Sequence, residues 1–259
     1  MLRAIDAAHG SSKRRSRSRP SGTRDASPLL PALAPPKPPA EAVASPLGLK
    51  RHFAGLGERT TFPALSPLLV QIEDLLSAAE CRDLIAVGAR ALSRGAAGVH
   101  AADPAWQKWR TCAGAWLTDE ALAAATRRDA DLGARAAATA HRVEQLVAQL
   151  TRRPASHQEP LHIVRYRPGE EYRPHLDVIP EQSRMPCGPR IFTVLIYGND
   201  VDAGGETVFP SLDLAIRARA GRGLVFNPDD DRNLHAGAPV VRGEKYVFIT
   251  WVHEREFPG

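Results

Sequence analysis

The sequence His175-Leu176-Asp177 lies at the centre of the segment that decides the fold, which begins at Leu161 and ends at Trp251. Side chains alternate between the two faces of a β-strand, so we predict that His175 and Asp177 project from one side and share a metal ion. A third ligand must come from elsewhere, and His235 lies ahead of the strand-like run Lys245–Trp251. Two imidazoles and one carboxylate form the facial triad of non-haem Fe(II) oxygenases, which leaves coordination positions open for substrate and oxygen.

The sequence after Pro160 consists of short strand-like segments separated by glycine, proline and aspartate. Short strands without long helices between them are typical of a double-sheet jelly roll, one of the closed all-β architectures. We therefore predict a mainly β fold with flanking helices (α+β). The predicted strands of this core are 161–167, 172–178, 190–197, 206–209, 214–218, 222–226, 234–235 and 245–253.

The residues before this core favour helices that support the sheet. Leu68–Leu76 predicts an edge strand, and Ser77 with Glu80 forms a capping box at the start of a helix over 78–93. Apolar residues at helical spacing predict one long amphipathic helix over 130–151.

Composition separates a basic tail from a folded domain. Residues 1–60 carry 11 Lys and Arg and 4 Asp and Glu, a net charge of +7, so the remainder of the chain contributes −2 to its total of +5. Prolines between residues 29 and 46 favour polyproline II conformation rather than a packed core. We predict a disordered basic and Pro-rich tail at 1–66 and a domain at 67–259, with helical support at about 77–152 and the jelly-roll core at about 160–255.

The cysteines and the apolar runs bear on the cellular compartment. Cys81, Cys112 and Cys187 lie far apart without C-x-x-C spacing, which favours neither a disulfide framework nor a cysteine zinc site. No apolar run approaches the ~20 residues that cross a bilayer, so we expect no membrane partner. We predict a cytoplasmic location, although the arginine- and serine-rich start leaves organelle targeting open. Nucleic acid is expected only at the basic tail.

Four blocks around the predicted triad carry a family resemblance. They are Ile163–Asp177, Arg190–Tyr197, Gly204–Pro210 and His235–Lys245. In this order they resemble the corresponding blocks of the prolyl 4-hydroxylase family of 2-oxoglutarate/Fe(II)-dependent dioxygenases, over about residues 158–255. The resemblance implies a double-stranded β-helix, the jelly-roll or cupin-like core of that family.

The same resemblance implies a cofactor set. It comprises Fe(II), 2-oxoglutarate as cosubstrate and O2, with ascorbate as reductant. His175, Asp177 and His235 are implied as metal ligands and catalytic residues. Lys245 is implied to neutralise the far carboxylate of 2-oxoglutarate, because an unpaired buried charge is costly. The other residues implied at the cosubstrate are Tyr166, Thr207 and Trp251.

The reaction implied is hydroxylation of an unactivated C–H bond, with decarboxylation of 2-oxoglutarate to succinate. Related halogenases have Ala or Gly at the carboxylate position, so Asp177 favours hydroxylation. Arg110, Glu159 and Arg190 correspond to residues that line the family's peptide groove, which makes a peptidyl proline the first choice of substrate. Arg110 begins a block similar to the family's Arg-Thr-Ser-x-Gly, but Cys112 replaces the serine and removes a good hydrogen-bond partner.

Alternative functions stay open. The short segment between Asp177 and Arg190 would equally admit a free amino acid or another small molecule, as in metabolite biosynthesis. The chain's own Ala34–Pro39 segment is a further candidate substrate. The non-enzyme alternative is a silent β-sandwich that binds peptide or nucleic acid, against which the triad and Lys245 both argue.

Overall fold

The computed structural model describes residues 53, 59–64, 68–94, 108–179 and 184–258, all within the unit Val43–Gly259. Most of the predicted tail at 1–66 lies outside this range. Strand β1 (Thr60–Ala64) nevertheless pairs antiparallel with β2 (Leu69–Ile72). The ordered part therefore begins before residue 67, earlier than predicted.

The described residues contain three α-helices, which are α1 (Ala78–Gly88), α2 (Asp119–Arg128) and α3 (Ala130–Thr151). None of them is long and apolar enough to cross a membrane. Helix α3 has the predicted bounds, whereas α1 ends at Gly88 rather than at residue 93. A Cβ at Gly88 would lie 2.8 Å from Ile163 Cδ1, so glycine lets the end of α1 approach the sheet closely. Helix α2, which the Thr118 side chain caps, was not predicted from the sequence.

An eight-stranded sheet forms one layer of the jelly roll. Its remaining strands are β3 (Ser93–Arg94), β4 (Ala113–Leu117), β5 (Leu161–Tyr166), β7 (Arg190–Tyr197), β11 (Gly223–Phe226) and β14 (Lys245–His253). The order is β1-β2-β11-β7-β14-β5-β4-β3. The predicted edge position of β2 is wrong, since β1 and β11 pair with it on either side.

A four-stranded sheet forms the second layer. Its strands are β6 (Tyr172–His175), β9 (Thr207–Phe209), β10 (Leu214–Ile216) and β12 (His235–Gly237), in the order β10-β9-β12-β6. A separate pair joins β8 (Ala203–Gly204) to β13 (Val240–Arg242). Strand β6 ends at His175, so the prediction that it continues to residue 178 is wrong.

Alternate residues of the large sheet enter two different cores. Ile163 of β5 packs with Val147 of α3, in the cluster between sheet and helices. The next residue, Val164, packs in the cluster that also holds Phe209 of the small sheet. Because the side-chain period of a strand is two, every second residue of β5 and β14 faces the space between the two sheets.

The capping box of α1 predicts a measurable loss of stability. The Ser77 hydroxyl accepts from the Glu80 amide at 3.3 Å, and the Ser77 amide donates to the Glu80 carboxylate at 2.8 Å. We expect Ser77→Ala to lower the free energy of unfolding by about 1 kcal/mol, because the helix loses its N-cap acceptor. Denaturant titration measures this loss. Ser211→Ala, at an exposed serine in a 3-10 turn without a side-chain cap, is the control, and equal losses in the two variants would contradict the assignment.

Candidate active site

Two histidines meet where β12 pairs with β6. His235 lies directly opposite His175 in the antiparallel register, and the centroids of their rings are 4.4 Å apart. Asp177 lies beyond the end of β6, so the prediction that strand alternation places it beside His175 is wrong. The loop after β6 brings its carboxylate back to the same place.

The three side chains form a compact ligand set. His175 Nε2 lies 3.4 Å from Asp177 Oδ1, and His235 Nε2 lies 3.7 Å from Asp177 Oδ2. One candidate ligand atom from each residue falls within 4.8 Å of the others. In the part of the chain that the structure describes, this is the one cluster of His, Cys, Asp or Glu that could hold a metal ion. The predicted triad is therefore assembled.

Both imidazoles are oriented by backbone carbonyls. His175 Nδ1 lies 2.8 Å from the Arg173 carbonyl, and His235 Nδ1 lies 3.1 Å from the Asn233 carbonyl. A carbonyl only accepts, so each Nδ1 carries the hydrogen and each Nε2 presents its lone pair to the centre. Two such nitrogens and a carboxylate fit a divalent transition metal.

The electrostatics of the triad keep its groups in ligand form. Burial, followed by the charge of the neighbouring His175, lowers the pKa of His235 to about 4. Burial opposes ionisation of Asp177, but His235, His175 and Arg190 outweigh it and hold the pKa of this carboxyl below its usual range. His235 is therefore neutral and Asp177 ionised at neutral pH, which are the forms that bind a metal ion.

Strand β7 holds the loop residue Asp177 in place. The Thr193 hydroxyl donates to Asp177 Oδ2 at 2.9 Å, and Arg190 Nη1 donates to the Asp177 carbonyl at 3.1 Å. Thr193 was not singled out from the sequence, because a threonine within an apolar strand is an ordinary strand residue.

Arg190 is itself held by a buried ion pair. Its guanidinium contacts Glu159 through two hydrogen bonds of 2.5 and 2.8 Å, and His253 Nε2 lies 2.8 Å from the same carboxylate. Burial opposes ionisation of Glu159, but His253 and Arg190 hold its pKa below its usual value. Glu159 and Arg190 thus lie together behind Asp177. Their predicted contact with a peptide stays a prediction.

Lys245 lies fully inside the space between the sheets, with 1% of its surface exposed. Its Nζ lies 3.5 Å from Thr207 Oγ1 and 5.0 Å from the centroid of the Tyr166 ring. Among the described residues no carboxylate forms an ion pair with it, and burial lowers its pKa to about 8. A buried ammonium without a counter-ion is costly, so this pocket fits an anion.

Several contacts complete the predicted pocket and add residues to it. Tyr197, which was not predicted, donates from its hydroxyl to Thr207 Oγ1 at 2.7 Å. Tyr172 stacks on His175 with ring centroids 3.5 Å apart. Sequence reasoning missed both tyrosines, because aromatic residues on strands are typical of any β core. The predicted Trp251 is covered by the Arg190 guanidinium, 3.9 Å above its ring.

Arg110 lies near the triad, and its predicted contact with a peptide stays a prediction. Its guanidinium carbon lies 5.0 Å from the centroid of the Tyr172 ring, which in turn stacks on His175. Arg110 Nε also donates to Cys112 Sγ at 3.2 Å. The cysteine therefore still accepts a hydrogen bond where the resembled family has serine.

The sequence profile of the 2OG-Fe(II) oxygenase superfamily matches residues 161–253, which include the triad and Lys245. Probable prolyl 4-hydroxylase 3 of Arabidopsis thaliana is 34% identical over 141 residues, which are 44% of this chain and 49% of the plant protein. The chain thus spans about half the length of that relative. Both matches agree with the family resemblance of the four blocks.

Two solved structures are similar to this chain in fold. The viral collagen prolyl hydroxylase of Paramecium bursaria Chlorella virus-1, in complex with 2OG, has a TM-score of 0.52 and 21% identity over 71% of this chain and 94% of its own. The prolyl hydroxylase of Trichoplax adhaerens, in complex with a hypoxia-inducible-factor peptide fragment, has a TM-score of 0.54 and 20% identity over 72% and 83%. These likenesses confirm the predicted jelly-roll core.

The hydrogen bond from the Thr193 hydroxyl to Asp177 predicts that removal of this hydroxyl weakens metal binding. We expect Thr193→Val to lower the affinity for Fe(II), or for Co(II) as a probe, by about 10- to 100-fold, because the loop carboxylate loses its orienting donor. Calorimetric titration with Co(II) measures the change. Thr193→Ser keeps the hydroxyl and should bind the metal as tightly as the parent protein does. Equal losses of metal affinity in the Ser and Val variants would refute the role of the hydroxyl in orienting Asp177.

The buried ammonium of Lys245 predicts a pH dependence of anion binding. Its pKa is about 8 without a partner, and pairing with a carboxylate raises that pKa. The affinity for 2-oxoglutarate should therefore be full below pH 8 and fall as the pH rises above it, by at most about tenfold per pH unit. Calorimetry across this range measures the affinity.

Two variants separate this dependence from general effects of pH. Lys245→Met should bind 2-oxoglutarate at least about 30-fold more weakly at pH 7, because truncating one partner of a buried charge pair costs about 2–5 kcal/mol. The same variant should show no fall above pH 8. Lys108→Met, at an exposed lysine, is the control, and a fall that persists in Lys245→Met would contradict the assignment.

Proposed function

We propose that this chain is an Fe(II)- and 2-oxoglutarate-dependent dioxygenase that hydroxylates a prolyl residue of a peptide or protein. One observation carries the proposal. Two Nε2 atoms and a carboxylate converge beside the space between the two sheets, where Lys245 is buried and has no carboxylate partner among the described residues. A metal site and an anion site between the same two sheets match the needs of this cosubstrate.

Each residue has a defined task in the proposed reaction. His175, Asp177 and His235 hold Fe(II), which with 2-oxoglutarate and O2 supplies oxidation of a C–H bond to an alcohol, coupled to decarboxylation of 2-oxoglutarate to succinate. Lys245 binds the far carboxylate of the cosubstrate, and Thr207 lies within reach to donate a hydrogen bond to it. The ionised Asp177 occupies a coordination position that a halide would need, which favours hydroxylation over halogenation.

The apolar lining around these groups keeps water out of the pocket. Val164, Leu195 and Val247 face the same space and are buried. Exclusion of water strengthens the attraction between Lys245 and a bound carboxylate. It also protects reactive species formed near the metal from side reactions.

Support for a prolyl substrate comes from named relatives. The Arabidopsis relative is a probable prolyl 4-hydroxylase, and the Trichoplax neighbour was solved with a peptide fragment. Arg110 beside Tyr172, and the Arg190–Glu159 pair beside Trp251, provide polar groups of the kind that a peptide backbone needs. Ascorbate as reductant and a cytoplasmic location remain proposals from the sequence.

A free amino acid or another small molecule is the second candidate substrate. The short segment between Asp177 and Arg190 favours it, since a compact cover over the metal suits a small substrate as well as a peptide. The chemistry at the metal would be the same.

Consumption of 2-oxoglutarate by the purified Fe(II) protein tests the function. We expect succinate release that proline-rich peptides stimulate and that falls by more than about a hundredfold in His175→Ala, because changes around a ligand alone cost about 10- to 100-fold. His141→Ala, at an exposed histidine of α3, should retain the activity.

The other outcomes of the turnover assay would favour a small-molecule substrate or contradict the proposed function. Turnover that ignores every peptide but responds to free amino acids would replace the peptidyl substrate with a small molecule. An absence of turnover in protein with verified iron content would contradict the oxygenase itself.

A further inference from the structure

The loop 227–234 joins β11 to β12 and ends immediately before the ligand His235. Its second half is a 3-10 turn over Asp231–Asn233. The side chain of Asp230 caps this turn, because its Oδ1 accepts from the Arg232 amide at 3.0 Å. The histidine therefore follows a turn that local hydrogen bonds have already shaped.

Asn233 lies at the centre of this loop with none of its surface exposed. Its Nδ2 donates to the Asn227 carbonyl at 2.9 Å and lies 3.4 Å from the Leu68 carbonyl. Its backbone amide donates to the Asp230 carbonyl at 2.7 Å. Because carbonyls only accept, the side chain must face both of them with its nitrogen. Asn233 thus closes the loop on itself and ties it to the residue that precedes β2.

The backbone of the same residue contacts the metal ligand. The Asn233 carbonyl accepts from His235 Nδ1 at 3.1 Å, which leaves Nε2 for a metal ion. The corresponding acceptor for His175 is the carbonyl of Arg173, which lies inside strand β6. The acceptor for His235 lies in a loop instead, where no strand ladder holds the peptide group. The clamped side chain of Asn233 supplies that support.

We propose that Asn233 is a positioning residue for the metal ligand His235. The side-chain amide fixes the loop, and the loop fixes the direction in which the Asn233 carbonyl meets the imidazole. This inference rests on the proposed function and deepens it, because it names a residue on which metal affinity depends although its side chain does not touch the metal.

A clamp that only stabilises a loop is the alternative role, and the chain contains a matched example of it. Asn199 follows β7, and its Nδ2 donates to the Asp200 and Glu244 carbonyls, both at 2.7 Å. Asn199 and Asn233 therefore use the same group on the same kind of acceptor. Only Asn233 is followed within two residues by a metal ligand.

Asn233→Leu tests the positioning role, because leucine has nearly the same shape as asparagine but no donor. We expect Co(II) to bind about tenfold more weakly, at the low end of the range for residues that orient a metal ligand. Calorimetric titration measures this affinity. The visible absorption bands of bound Co(II) should also shift, since they report the geometry of its ligands.

Two further variants make the result specific. Asn199→Leu should lower the Tm of the metal-free protein by about 4–8 °C, as Asn233→Leu should, because buried carbonyls lose their donor in both. It should nevertheless leave the affinity for Co(II) and the absorption bands unchanged. Asn233→Ser keeps one hydroxyl donor and should show an intermediate affinity, which tests the proposal even if Asn233→Leu does not fold.

The remaining outcomes overturn the proposal or separate it from the proposed function. Unchanged Co(II) affinity in folded Asn233→Leu or in Asn233→Ser, or equal losses in Asn233→Leu and Asn199→Leu, would make Asn233 a structural residue only. Parent protein that binds no Co(II) would contradict the proposed function and this role together. Parent protein that binds Co(II) in an Asn233-dependent manner but shows no oxygenase turnover with iron would refute the function and retain the positioning role.

Discussion

The antiparallel pairing of His235 with His175 is the constraint on which the site depends. The two residues come from strands that are distant in sequence, and only their register brings both rings to one face. A slip of one residue would turn one imidazole to the opposite face, since the side-chain period of a strand is two. The register is supported on the other side of β12, where Gly237 pairs with Thr207 of β9. The small sheet therefore supplies the histidines and the large sheet supplies the group that holds Asp177.

The large sheet has an apolar outer face and an inner face that carries polar side chains. The outer face of the large sheet packs on α1 and α3 through aliphatic side chains such as Ile163 and Val147. The inner face of the same strands carries a lysine, tyrosines and a histidine in a setting closed to water. Burial of such groups opposes folding, so the helical layer must supply stability that the pocket does not. This separation explains how a fold can tolerate a charged and incompletely paired interior at its functional end.

The sequence predicted the parts of this protein that carry distinctive chemistry. The triad was identified from its ligand types and from the four blocks that resemble the prolyl 4-hydroxylase family, and the same resemblance implied Lys245. The geometry that brings these residues together could not be predicted from the sequence. Asp177 reaches the metal site from a loop that Thr193 and Arg190 hold in place, and such contacts between distant parts of the chain leave no local sequence pattern. Tyr197 was missed for a related reason, because its surroundings, and not its spacing, distinguish it from a core residue. Strand β1 was assigned to the tail, because its pairing with β2 and the packing of Phe62 on the core leave no local pattern.

The buried trio of Glu159, Arg190 and His253 has a consequence for how this protein can change over evolutionary time. The three side chains share hydrogen bonds around the Arg190–Glu159 ion pair in an interior almost closed to solvent. Replacing Arg190 or Glu159 alone leaves the charge of the other without its partner, which costs about 3–5 kcal/mol for a buried pair. Lineages can therefore exchange this trio only through compensated, near-simultaneous substitutions, or after the fold has gained reserve stability elsewhere. Drift at these positions should be slow even in a lineage where the substrate has changed.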